Sequence, residues 1–164
     1  MSGSSIDEEL ASLWRGAWAT AEREAFAACC GARVHYEDPL TTEPLEGLDA
    51  LAEHAGRYRE AFPDLRLEPS GQPVVQERFA CVPWRLAGTH RGALGGLPAS
   101  GRFVAVEGLH YLELADGRVG RARGFFDLYD VAVQLGLLPA RGSLAETALL
   151  LVRGFGLRGL RQRA

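Results

Sequence analysis

Apolar positions in the first third of the chain recur at the spacing of an α-helix. From Ser5 to Cys30 they fall every three or four residues, and Gly31 follows as a terminator. A second run of this kind spans Glu46 to Phe62, and Pro63 ends it. Between them, residues 32–37 have the composition of a short strand that stops before a proline. We therefore predict an N-terminal helical segment that reaches Cys30, with or without a break, then a strand and another helix.

After residue 63 the pattern changes to the two-residue alternation of β-strands. The predicted strands cover 65–68, 74–76, 79–90, 103–114 and 119–126. Asp116-Gly117, between the last two, is a strong signal for a two-residue hairpin turn. Helices followed by a meander of antiparallel strands predict one α+β domain, with helices on one face of the sheet.

Two short helices are predicted after the strands. The first covers Asp127 to Leu135 and ends at Gly136, and the second follows Ser143. We place one domain at 1–140 and assign 141–164 to a C-terminal helical extension with a basic tail. Two interpretations of that extension stay open, a helix that packs on the domain and an amphipathic helix on a membrane surface.

Composition excludes several classes of function. The chain has a net charge of −3, which gives no electrostatic basis for binding nucleic acid, and it contains no lysine for Schiff-base catalysis. No apolar run approaches the roughly 20 residues of a membrane span, and no secretory signal pattern is present. Cys29, Cys30 and Cys81 lack metal-ligand spacing and suit reduced thiols. We expect a cytoplasmic protein with no membrane span, no nucleic acid partner and no metal site.

Several short motifs occur in a fixed order along the chain. They are His35-Tyr36-Glu37-Asp38-Pro39, Gly47 at a helix start, the Trp84–Gly101 stretch, the Asp116-Gly117 hairpin and Gln134-Leu135-Gly136. In this order the chain resembles the SnoaL-like polyketide cyclase and ester cyclase family of the nuclear transport factor 2-like superfamily. The resemblance spans about residues 10–136. It implies a cone-shaped, cystatin-like fold in which N-terminal helices cap a curved antiparallel sheet, and it implies no cofactor.

The resemblance also implies where the chemistry lies. In the aldol cyclases of this family an acid/base aspartate sits late in the last strand, and that position here is Gly124. The accompanying histidine and early polar residue match His110 and Asp38. A glycine cannot transfer a proton, so we expect His110 with Asp38 to form the acid–base pair. Asp127 is a reserve catalytic acid, with an N-cap of the following helix as its alternative role.

Strand alternation places Gly120, Ala122, Gly124 and Phe126 on one face of the last strand. The opposite face carries Val119, Arg121, Arg123 and Phe125, which we expect to contribute to a homodimer surface. If the first face is the inner one, the cone is roomy there. We expect a ligand pocket formed by Tyr36, Trp84, Leu86, His90, Gly124 and Phe126, although ordinary core packing is an alternative for Trp84.

These expectations define an enzyme that abstracts a proton next to a carbonyl of a bulky, apolar, polyketide-like substrate. Ring closure or isomerisation would follow. The alternative is a protein that binds a hydrophobic small molecule without changing it, which Gly124 favours. A third hypothesis, acid–base hydrolysis of an epoxide, needs two carboxylates and an arginine in one pocket, whereas Arg85 and Arg121 fall on the outer strand faces.

Overall fold

A computed structural model describes residues 3–155, with side chains from residue 8 onward. Within this range the chain forms five helices and seven strands. The helices are α1 (Gly3–Thr20), α2 (Arg23–Cys29), α3 (Gly47–Ala61), α4 (Leu128–Gln134) and α5 (Leu144–Val152). The strands are β1 (Cys30–Glu37), β2 (Leu45–Glu46), β3 (Arg66–Pro69), β4 (Val74–Val75), β5 (Phe79–Thr89), β6 (Phe103–Ala115) and β7 (Arg118–Phe126).

The first helical segment is divided at Ala21, which adopts a left-handed backbone conformation with φ of 59°. Its amide still donates to the Ala17 carbonyl at 2.8 Å, so α1 closes before the chain turns into α2. The turn brings Phe26 against Trp14, edge to face, at 5.9 Å between ring centroids. Ser5, at the predicted start, lies inside α1, and its side chain is outside the described residues.

The strands form one curved, open sheet in the order β2-β1-β7-β6-β5-β3, with β4 paired to β5. All pairings are antiparallel except that of β1 with β7, which is parallel. Asp116 and Gly117 have φ of 52° and 73°, the left-handed conformations that a tight hairpin turn requires. The predicted α+β architecture, helices on one face of a curved sheet, is confirmed.

A β-bulge near the hairpin corrects one detail of the sequence prediction. Glu113 pairs with Arg121 but the next residue, Leu114, pairs with Val119, so Gly120 is the extra residue. The alternation is therefore interrupted, and Val119 and Ala122 are both buried in the core. Val119 does not share the outer face with Arg121 as expected, because the bulge turns it inward.

Two groups of buried side chains fill the space between helices and sheet. The larger group joins α1, α2 and α3 to the centre of the sheet, and includes Trp14, Trp18 and Tyr36. The smaller one surrounds the end of α3 and α4, and includes Phe62, Trp84 and Val131. The core stays open between these two groups, and the candidate site lies there.

The extension after residue 140 contacts the domain through α4. The Arg141 guanidinium lies 4.5 Å from the centre of the Tyr129 ring, and Ser143 caps α5 by accepting from the Glu146 amide at 3.1 Å. No residue of α5 is buried. The tail arginines Arg158, Arg161 and Arg163 lie outside the described residues. In residues 3–155 no helix has the length and apolar character needed to cross a membrane.

Candidate functional site

An almost wholly apolar hollow opens between the helices and the concave face of the sheet, with an empty volume of about 670 Å³, mouth included. Six of the predicted site residues line it: Tyr36, Asp38, Trp84, Leu86, His110 and Phe126. Helices and loops add further lining side chains, among them Trp18, Tyr58 and Val131.

Two predicted site residues lie away from the hollow and are corrected. His90 is fully buried, and its Nδ1 accepts from the Ser100 amide at 3.1 Å, so it anchors the loop between β5 and β6. Asp127 is exposed at the start of α4, where its carboxylate accepts from the Asp130 amide at 2.9 Å. Asp127 therefore has its alternative role, the helix N-cap, because the end of β7 carries it past the rim of the sheet.

Gly124 lies behind the wall of the hollow and not at its surface. A Cβ built on Gly124 would come within 2.6 Å of the Tyr36 hydroxyl oxygen and 3.0 Å of Asp38 Cβ. The phenol of Tyr36 thus occupies the space that a side chain at position 124 would need. A side chain at position 124 and the Tyr36 phenol therefore compete for the same space.

The Asp38 carboxylate is held by five hydrogen bonds although only 1% of its side chain is exposed. Oδ1 accepts from the amides of Leu40 and Thr41 at 2.8 and 3.1 Å, which fixes the turn after β1. Oδ2 accepts from the hydroxyls of Tyr36 and Tyr58, each at 3.0 Å, and faces His54 Nε2 at 2.8 Å. A buried carboxylate is tolerated only with donors of this number and quality.

These contacts decide the ionisation of the cluster. Burial alone would raise the pKa of Asp38, but the hydrogen bond and charge of His54 and the Leu40 amide outweigh it and lower that pKa. Burial and the nearby Asp38 charge raise the pKa of both Tyr36 and Tyr58, so both phenols remain protonated donors. Asp38 is therefore ionised at neutral pH and surrounded by neutral hydroxyls.

The hydrogen on Tyr36 determines the tautomer of His110. The Tyr36 hydroxyl has one hydrogen, and the ionised Asp38 can only accept it. The Tyr36 oxygen lies 3.5 Å from His110 Nε2, so it is left to accept from an Nε2–H. His110 Nδ1 then carries the lone pair, and it is buried with no hydrogen-bond partner in the described structure. Asp38 acts on His110 through Tyr36 and not by direct contact.

Three indole rings enclose the His110 imidazole. Trp18 stacks on it at 5.1 Å, Trp84 is tilted at 5.3 Å, and Trp14 meets it edge on at 5.4 Å. This burial lowers the pKa of His110 to about 3, even though the Asp38 charge acts in the opposite direction. The imidazole is therefore neutral throughout the physiological range. The indole Nε1–H groups of Trp18 and Trp84 are also buried without partners, which leaves two donors and one acceptor unused at the walls.

Sequence reasoning missed two polar members of this site. His54 and Tyr58 both lie on α3, four residues apart, on the helix face that carries Leu51 and Ala55. Tyr58 was recognised only as a member of an apolar stripe, and His54 not at all. The available signal was a histidine at core spacing, since a buried polar side chain requires a partner.

The lowered pKa of His110 predicts a specific acid dependence of stability. Below its ordinary pKa of 6.5 the unfolded chain protonates His110 and the folded chain does not until about pH 3. Unfolding then takes up a proton, so stability conferred by the neutral ring is lost as pH falls across this window, by at most about 1.4 kcal/mol per pH unit. Urea unfolding of the wild type and His110→Gln at pH 4 to 7 should show a shallower slope in the variant. His35→Gln, at an exposed histidine, is the control, and equal slopes in all three proteins would contradict the prediction.

The overlap between position 124 and Tyr36 can be measured as a coupling energy. We expect Gly124→Ala to destabilise the wild type, because the new methyl group displaces the Tyr36 hydroxyl. In a Tyr36→Phe background the same change should cost less, with a coupling of about 1 kcal/mol. A double-mutant cycle by urea unfolding tests this, and strictly additive effects would show that the two positions are independent.

Solved structures share this fold at low sequence identity. A protein from Jannaschia sp. CCS1 assigned as a SnoaL-like polyketide cyclase superposes with a TM-score of 0.73 at 22% identity, covering 85% of this chain and 97% of its own. AclR from Streptomyces galilaeus gives 0.70 at 18% identity and covers 98% of both chains. A ketosteroid isomerase-like protein from Catenulispora acidiphila gives 0.65 at 16%, covering 79% and 94%. These similarities show the fold alone.

The family of the protein is identified by comparison of its sequence. No curated protein matches the chain. The family model described as SnoaL-like polyketide cyclase matches residues 8–135, which include α3, the complete sheet and all the polar residues around the hollow. The resemblance noted from the ordered motifs is therefore confirmed, and the chain belongs to the SnoaL-like polyketide cyclase family.

Proposed function

We propose that the protein is a cyclase-type enzyme that removes a proton next to a carbonyl of a bulky, apolar, polyketide-like substrate. The observation that carries this proposal is the state of His110 at the wall of the hollow. Its Nε2 is tied to Tyr36, while its Nδ1 lone pair has no partner. A lone pair kept free in a water-poor, apolar site is what a general base requires.

The chemistry follows from the donors and acceptors around the ring. Nδ1 takes the α-proton of the substrate, and the C–H electron pair becomes an enolate. The imidazolium formed on His110 is stabilised by the ionised Asp38 through Tyr36. The Nε1–H groups of Trp18 and Trp84 are available to an enolate oxygen. Attack of the enolate carbon on a second carbonyl closes the ring, and His110 returns the proton to the new alkoxide, so electrons and protons balance without a cofactor.

A binding protein that holds a hydrophobic ligand without turnover is the second candidate. Two observations favour it. Gly124 stands where the family's acid is expected, and the lowered pKa of His110 makes its imidazole a weak base. The developing charge of the substrate would have to raise the basicity of His110 during the reaction. An exchange measurement separates the two candidates.

Hydrogen exchange at an activated carbon tests the enzyme hypothesis without knowledge of the natural substrate. A polycyclic β-keto ester in deuterated buffer should gain deuterium at its α-carbon faster with the protein than without it. His110→Gln should lower this catalysed rate by about 10²–10⁴-fold, because the general base is removed. His35→Gln should leave it unchanged. Tight retention of the probe with exchange at the buffer rate would instead support the binding protein.

We also propose that two copies pair through the outer face of the sheet. Aromatic side chains are exposed there, with Phe103 at 63%, Phe125 at 49% and Phe79 at 39%. Arg121 and Arg123 lie beside them, and both contact Glu37 of the same chain. These aromatics are spread along the sheet, since Phe103 pairs with Thr89 at one end of β6 and Phe79 with Glu113 near the other. Aromatic and arginine side chains are enriched in interfaces between subunits. Phe125→Glu should shift the protein toward monomer in sedimentation equilibrium, whereas a wild-type monomer at micromolar concentration would refute the dimer.

We also propose a domain boundary and a cellular compartment for the protein. We propose that residues 1–140 form the working domain and that 141–164 extend it. The extension lies largely beyond the matched range of residues 8–135 and contributes no lining residue to the described hollow. We place the protein in the cytoplasm, because Cys29, Cys30 and Cys81 are all free thiols.

A further inference from the structure

His54 makes a buried contact with Asp38 that the mechanism above leaves unassigned. Its Nε2 lies 2.8 Å from Asp38 Oδ2, and only 7% of its side chain is exposed. It approaches the carboxylate from α3, on the side opposite the amides of Leu40 and Thr41. A buried contact between a carboxylate and a histidine is weak evidence of a role in stability, so we consider what else it does.

His54 also reaches a second depression, which we call the vestibule. Its lining includes His54, Arg57, Leu94 and Leu128, and it adjoins the hollow because Leu40, Tyr58 and Val131 line both. Several polar or charged groups lie around His54. Asp38 and Tyr36 come from β1 and its end, and Tyr58 and Arg57 come from α3. The α1 helix contributes the uncharged Trp18. Asp38 is the only carboxylate among these described neighbours.

The contact between His54 and Asp38 affects His110 through the hydrogen bonds that connect Asp38, Tyr36 and His110. An ionised Asp38 accepts the Tyr36 hydrogen and leaves the Tyr36 oxygen to accept from His110 Nε2. A protonated Asp38 could donate to the Tyr36 oxygen instead. The Tyr36 hydroxyl would then donate to Nε2, the ring hydrogen would move to Nδ1, and the free lone pair would be lost.

We propose that His54 is a positioning residue for the acid–base site: by bonding Asp38 Oδ2 it keeps this carboxylate ionised and so fixes the His110 ring hydrogen on Nε2. The assignment rests on the proposed role of His110 as the base. His54 is not among the residues that line the hollow, and it acts through Asp38 and Tyr36. The lowered pKa of Asp38, to which the His54 hydrogen bond and charge contribute, agrees with this geometry.

Two substitutions at position 54 separate the hydrogen bond from the charge. His54→Gln keeps a donor to Oδ2 but carries no charge, whereas His54→Leu removes both and preserves the apolar face of α3. His35→Leu is the matched control, because His35 is an exposed histidine 3.7 Å from the Glu46 carboxylate. Each protein is labelled for NMR, with ¹³C on aspartate carboxyls to follow Asp38 and ¹⁵N on histidine rings to identify the tautomer of His110.

We expect the titration midpoint of Asp38 to rise from wild type to Gln to Leu. At a pH between the Asp38 midpoints of the two proteins, the ¹⁵N shifts should report the Nε2–H tautomer of His110 in the wild type and the Nδ1–H tautomer in His54→Leu. With the β-keto ester probe, kcat for deuterium exchange should fall at least about 10-fold in the Leu variant with KM nearly unchanged, and the Gln variant should recover part of it. His35→Leu should match the wild type in all three measurements.

The NMR readout distinguishes failure of this inference from failure of the proposed function. An Asp38 midpoint and His110 tautomer that are the same in wild type, Gln and Leu variants would overturn the role of His54, whatever the activity. Absence of exchange by the wild type would refute the enzyme while the tautomer measurement still decides the role of His54. If His54→Leu does not fold, the rise of the Asp38 midpoint in His54→Gln is the deciding observation.

Discussion

The burial of one carboxylate, that of Asp38, organises this site. A charged group removed from water must be surrounded by donors, and Asp38 draws them from three separate parts of the chain. The turn after β1 contributes two amides, α3 contributes His54 and Tyr58, and β1 contributes Tyr36. These bonds hold α3 over the sheet and set the direction of every hydrogen up to His110. The free lone pair on His110 Nδ1 is a consequence of that arrangement, whereas the neutrality of the ring follows from its burial.

The apolar side chains around the hollow are the second determinant of the state of His110. Three indoles around His110 exclude water and lower its pKa, which keeps the ring neutral but weakens it as a base. The same dryness strengthens the effect of the Asp38 charge on any imidazolium that forms. Glycine fits at position 124 because the Tyr36 phenol fills the space beside it. The Tyr36 phenol on β1 lies between the Asp38 carboxylate and the His110 imidazole, and it contacts both.

Helix and strand patterns predicted the fold well because they depend on local spacing. The α3 stripe and the Asp116-Gly117 turn appear as expected. An error arose where one residue changes the phase of a strand. The bulge at Gly120 turned Val119 into the core, and a glycine does not signal a bulge strongly enough to be identified from sequence. The break in the N-terminal helix, which the sequence left open, is present at Ala21.

The sequence by itself determined the family, the order of elements and the candidacy of His110, Asp38 and Tyr36, since these follow from motif order and strand alternation. Only the tertiary structure decided which of the candidates meet. It placed His90 and Asp127 away from the hollow and brought His54, sixteen residues from Asp38 in the chain, within hydrogen-bond distance of it. The physical reason is that hydrogen-bond partners of a buried group are chosen by packing across elements. A one-dimensional pattern shows which face a side chain occupies but not what it touches.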